Sequence, residues 1–187
     1  MDFAAKFAVG LFYHDFLAKH GTEEQRRKWA NVHAAVKLAP AQQTLLAGFV
    51  REMKVLCLAG AWCGDCIEQC PIFDHFAAAS NGKIQLRFFD RDAHADLAAE
   101  LPICGGARVP VALFLSEDGQ QVSRYGDRTL SKYRQVAADN LGAACPTGLF
   151  VPGASLLESV TQDWLNEFER VHLILRTSAR LRKLHND

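Results

Sequence analysis

The sequence carries no excess of charge. Its 21 Lys and Arg balance 21 Asp and Glu, so no global field draws it to nucleic acid or to an acidic membrane. It has no run of 18 apolar residues, so no segment reads as spanning a bilayer. It has no fixed-period repeat and no low-complexity tract. Its histidines (14, 20, 33, 75, 94, 172 and 185) lack metal-ligand spacing, its glycines form no phosphate-binding pattern, and no Ser-His-Asp arrangement can be read from it. Cysteine is scarce as well: 6 in 187 residues is too few for a disulfide scaffold. What is present is a globular composition, 49% hydrophobic and 22% charged, which excludes a disordered chain. The length suits one domain with helical extensions, able to bury roughly 70% of its unfolded surface.

Residues 1–16 do not read as a secretion signal. Asp2 stands where positive charge belongs, the apolar run is short, and Tyr13, His14 and Asp15 follow. The expectation is a cytoplasmic chain whose thiols are mostly reduced.

Phe3, Phe7, Leu11, Phe12 and Phe16 recur at helical spacing up to Gly21. Thr22 and Gln25 form a capping box for a second helix, whose first turn carries Glu23 and Glu24. Pro40 opens a third, through about Glu52. The period then changes. Residues 54–60 read as a buried strand and 63–79 as a helix interrupted by Pro71. Residues 83–89 alternate like a strand, and 92–101 read as a helix with Asp92 as N-cap. Residues 111–115 and 121–125 read as strands joined at Asp118-Gly119, and 129–141 as a helix. Residues 145–153 read as a loop by their Pro and Gly. A last helix, 154–184, presents Leu157, Val160, Trp164, Phe168, Val171 and Leu175 on one face, suited to docking on the domain.

Four cysteines lie between 57 and 70. Cys63 and Cys66 follow a predicted strand and open a predicted helix. Free N–H groups and the dipole at a helix start lower a cysteine pKa, and the thiolate is the nucleophile of disulfide exchange. Two intervening residues let Cys66 resolve a mixed disulfide formed at Cys63. Cys63, Cys66 and Cys70, followed by Pro71, also look like the tail of an iron–sulfur ligand run, although a fourth ligand is missing. Cys57 on the strand and Cys70, one turn from Cys66, suit the core as small hydrophobes. Cys104 reads as a loop thiol or a regulatory thiol near the site. Asp90 and Asp92 read as caps and turn residues.

The chain resembles the thioredoxin superfamily. The resemblance rests on Trp62-Cys63-Gly64-Asp65-Cys66, Pro71, Val109-Pro110 before an apolar strand, Asp118-Gly119 and Gly126, and it covers roughly residues 53 to 141. It is most similar to a bacterial subgroup with this five-residue motif and extra helices before the first strand. The resemblance implies a thioredoxin-like three-layer α/β/α domain at 53–141, with an N-terminal helical extension (1–52) packed on it and a loop and long helix (142–187) after it.

It also implies roles. Cys63 would be the exposed nucleophile and Cys66 the buried resolving thiol. Pro110 would be a cis proline, a conformation that an X–Pro bond adopts at little cost. The Val109 backbone would pair with an extended substrate, and Trp62 would pack over the site. Two departures modulate this. Cys57 stands where the family usually has a buried Asp that serves the resolving thiol. Gly64-Asp65 replaces the common Gly-Pro, and a carboxylate there opposes thiolate formation and favours a reducing couple, unless Asp65 turns toward Cys66 as its proton acceptor.

The implied function is thiol–disulfide exchange, acting as a reductant, on a protein or low-molecular-weight disulfide. The dithiol is the redox centre with no dissociable cofactor, and a separate reductase regenerates it. No nucleic-acid, membrane or metal partner is expected; the apolar face of the last helix would allow a homodimer. The alternatives are a non-catalytic thioredoxin-fold interaction module, and a metal or iron–sulfur carrier using Cys63, Cys66 and Cys70.

Overall fold

The computed structural model describes residues 1–141 and 155–187. The expected loop at 145–153, with Cys145, lies outside the described residues. Helices α1 (Phe3–Ala8), α2 (Tyr13–His20), α3 (Glu23–Ala35) and α4 (Pro40–Ala47) precede strand β1 (Met53–Ala59). Then come α5 (Gly64–Ala79), β2 (Ile84–Asp90), α6 (Ala95–Glu100), β3 (Val111–Ser116), β4 (Gln121–Gly126), α7 (Leu130–Leu141), α8 (Leu156–Thr177) and α9 (Ala179–His185). The strands form one sheet in the order β2-β1-β3-β4. β1 runs parallel to β2 and antiparallel to β3, and β3 runs antiparallel to β4. Every residue of β3 is buried, as is every residue of β1 except Lys54, because helices cover the central strands on both faces.

Several elements differ from the sequence reading. The first apolar stripe is two helices, not one. Leu11 leaves the helical path and pairs with Phe88 of β2, donating at 3.0 Å and accepting at 2.7 Å. Gly10 permits that approach, since a Cβ there would stand 2.5 Å from the Phe89 ring. α4 stops at Ala47. α5 runs unbroken through Pro71; only the hydrogen bond that the residue 71 nitrogen would give to Ile67 is forgone. Asp92 does not cap α6. Asp90 Oδ1 accepts from the N–H groups of Asp92 and Ala93 at 3.1 and 3.0 Å, and α6 starts at Ala95. The last helix breaks at Ser178, whose extended backbone and side chain cap α9.

The flanking helices fix the sheet's neighbour α5. Trp29 of α3 is fully buried and its indole N–H donates to Ala61 O at 2.9 Å. From the other side, Trp164 of α8 donates to Gln69 Oε1 at 2.9 Å, and Gln69 Nε2 donates to Asp127 O at 3.0 Å. Buried indoles thus find acceptors, as burial demands. Val160, Trp164, Phe168, Val171 and Leu175 are buried within the chain, so this face is docked and is not the free surface a homodimer through it would need. The basic end of the last helices is matched by acid: Arg176 pairs with Asp187 and Arg180 with Asp118.

Candidate active site

The loop between β1 and α5 carries the site. Cys63 is the N-cap of α5, with extended backbone; its N–H donates to Gly60 O at 3.0 Å, and its carbonyl accepts from Ile67 at 2.9 Å. The Cys63 side chain is half-buried, whereas Cys66, one turn in, is fully buried. Cys63 Sγ lies 3.6 Å from Val109 O, to which the thiol donates. The Val109–Pro110 bond is cis, and Gly126 packs against Pro110 so closely that a Cβ would lie 2.3 Å from its carbonyl oxygen. Trp62 is 46% exposed, and the Arg91 guanidinium sits 4.5 Å from the centroid of its ring. The sequence-expected Cys63 thus meets the Val109 carbonyl, with Trp62 and Pro110 next to these two in the chain and Cys66 one turn behind Cys63.

The two thiols titrate together. Burial works against charge on Cys66, but hydrogen bonds from Cys63 and Cys70 and from the Gly60 N–H at 3.4 Å outweigh it and bring Cys66 down to about 5. The same hydrogen bond with Cys66, and then burial, push Cys63 well above the ordinary thiol range. The pair thus releases its first proton easily and its second with difficulty, and both steps belong to the pair.

Asp65 has a different role from either one expected. Arg128 Nε donates to its Oδ1 at 3.0 Å, and Arg128 Nη2 stands 2.7 Å from its Oδ2. The carboxylate is engaged by a guanidinium, so it does not serve as the proton acceptor of Cys66. Its charge still opposes thiolate formation at Cys66, although the net direction there is downward. Gly64 has open space around its Cα; nothing there demands glycine.

Cys57 is fully buried on β1, and its Sγ lies 3.8 Å from Cys70 Sγ. Burial raises both thiols above their usual range. Cys104 is exposed, in a left-handed turn closed by the Ile103–Gly106 pairing. All the described cysteines are free. Among the described residues no group of three or more His, Cys, Asp or Glu stands where it could hold a metal ion, which includes Cys63, Cys66 and Cys70.

Arg91, Arg128, Gln69 and Asp127 were missing from the sequence reading. Asp127 is buried, its backbone carbonyl accepts from Gln69, and its side chain accepts from Arg108 at 3.4 Å and from Tyr133. The Gly126 that precedes it was the one nearby signal.

The sequence model of a family described as Thioredoxin matches residues 12–138. The chain belongs to the thioredoxin family. The match begins at Phe12, just before α2, so α2, α3 and α4 are part of what this thioredoxin-family chain shares with the family, while α1 lies outside the match. Among solved structures, a protein of unknown function from Pseudomonas aeruginosa is similar, with a TM-score of 0.71 and 18% identity over 91% of this chain and 96% of that one. An HIV epitope scaffold gives 0.63 and 19% over 96% and 100%. A thioredoxin from Fasciola hepatica gives 0.36 and 21% over 52% and 88%. The first two share the fold over nearly their whole length. No curated protein matches the chain. No helix among the described residues is long and apolar enough to cross a membrane.

Proposed function

We propose that the chain is a thiol–disulfide oxidoreductase acting through Cys63 and Cys66. The observation that supports this most is the juxtaposition of a half-buried Cys63 at a helix start, a fully buried Cys66 behind it and the Val109 carbonyl 3.6 Å in front. Cys63 passes its proton to Cys66 and its sulfur attacks a substrate disulfide; a Cys63–substrate bond forms, and the substrate's other sulfur leaves as a thiolate that takes the proton from Cys66. Cys66 then attacks Cys63, closing the protein disulfide and releasing the reduced substrate. The substrate is oxidant and the dithiol reductant, two electrons for two. The Val109 backbone and the exposed face of Trp62 are suited to hold an extended substrate. The proposed direction is reducing, which the carboxylate of Asp65 beside the thiols supports; the potential of the pair decides it. A separate reductase would return the dithiol.

The test is insulin reduction with dithiothreitol as electron source. Wild type should accelerate it, Cys63→Ser should abolish the acceleration, and Cys66→Ser should accumulate a mixed disulfide at Cys63. A folded wild type with free thiols and no acceleration would leave the interaction-module reading in its place.

A further inference from the structure

We propose that Cys57 and Cys70 form a second, buried dithiol that exchanges with the Cys63–Cys66 disulfide through Cys66, so that one reduced chain delivers four electrons where the active-site pair alone delivers two. The inference rests on the oxidoreductase reading above. Its basis is a line of sulfur running from the surface to the central strand. Cys63 is half-buried at the start of α5, Cys66 lies buried about one turn further in, and Cys70, one more turn along the same helix, has its Sγ 3.8 Å from Cys57 Sγ on β1. Cys66 and Cys70 are one helical turn apart on one face. The backbone between them is the turn whose hydrogen bond Pro71 cannot make, so it is the turn most able to yield. Cys57, Cys66 and Cys70 have no solvent exposure. An external disulfide therefore reaches them only by way of Cys63.

The exchange balances in two steps. Cys70 attacks Cys66 within the Cys63–Cys66 disulfide: the Cys66–Cys70 bond forms, the Cys63–Cys66 bond breaks, and Cys63 takes up the proton that Cys70 gives up. Cys57 then attacks Cys70: the Cys57–Cys70 bond forms, the Cys66–Cys70 bond breaks, and Cys66 takes up the proton from Cys57. Two thiols are oxidised and two are regenerated, with no other reagent. Cys63 and Cys66 are then free to reduce a second substrate. Two buried thiols that resist deprotonation make this internal transfer slower than the surface reaction.

The experiment uses the reduced full chain with Cys104→Ser and Cys145→Ser, mixed anaerobically with excess glutathione disulfide. Released glutathione is counted, and cysteines are mapped by alkylation before and after reduction. The relay predicts about four glutathiones per chain, the second pair slower, with Cys57 and Cys70 linked. Cys57→Ala, or Cys57→Ser should the first not fold, should give about two. About two from the unsubstituted background, with Cys57 and Cys70 still free, overturns the relay and leaves the active-site reading standing. Release of none overturns both.

Discussion

Arg128 holds both carboxylate oxygens of Asp65, the residue immediately before Cys66. The contact joins the segment after β4 to the first turn of α5, and it cancels a negative charge beside the reactive thiols. Arg128→Met should leave that charge unmatched. The thiolate absorbance of the pair should then titrate about 1 pH unit higher, and Asp65→Asn added to Arg128→Met should restore it. An unchanged titration in the single variant would show that the carboxylate does not reach the thiols.

Gly60 lies under the indole of Trp62, and a Cβ there would stand 2.7 Å from the ring. Because Trp62 is 46% exposed, it can move outward. Gly60→Ala should therefore cost under about 1 kcal/mol of stability while raising KM for a protein disulfide several-fold. A shifted Trp62 fluorescence with unchanged KM would remove Trp62 from substrate binding.

Tyr13 is buried on α2, and its hydroxyl has no hydrogen-bond partner among the described residues. Leaving a buried hydroxyl unpaired is costly, so Tyr13→Phe should stabilise the protein by about 1 kcal/mol, seen as a Tm rise of roughly 2–4 °C. A fall in Tm would mean that the hydroxyl is satisfied in solution.

His172 stacks on Phe49 with ring centroids 4.2 Å apart, and its Nε2 accepts the Val50 N–H at 3.0 Å. Burial first, then Arg176 and Arg51, hold its pKa below the ordinary histidine value. Below about pH 6.5 the unfolded chain takes up a proton here that the folded chain refuses. Stability should therefore be full above that pH and fall as pH drops toward the folded pKa. Urea unfolding from pH 8 to 5 should show the decline, and His172→Gln should flatten it.

The order of strands and helices around the dithiol was legible because its signals are local. The short apolar run before Cys63, the alternation of β2 and the turn at Asp118-Gly119 each fall within a few residues. The same was true of the convergence of Cys63 with Val109 and Pro110, which the five-residue motif and the Val-Pro before β3 announced together. What escaped was set by distant partners. Nothing near Arg128 points to Asp65. The apolar period around Leu11 is helical, yet backbone pairing with Phe88 overrides it. The apolar face of the last helix runs past Ser178 and masks a break that the capping ability of Ser178 decides.

The Leu11–Phe88 pairing also bears on self-association. β2 stands at the end of the sheet, and a strand in that position offers a row of unpaired N–H and C=O groups to any other extended chain. Leu11 occupies both backbone groups of Phe88, in the second half of the strand, so a foreign strand could not pair along its whole length. The segment between α1 and α2 thus guards the sheet against aggregation, and its release would open a surface that could seed fibrils.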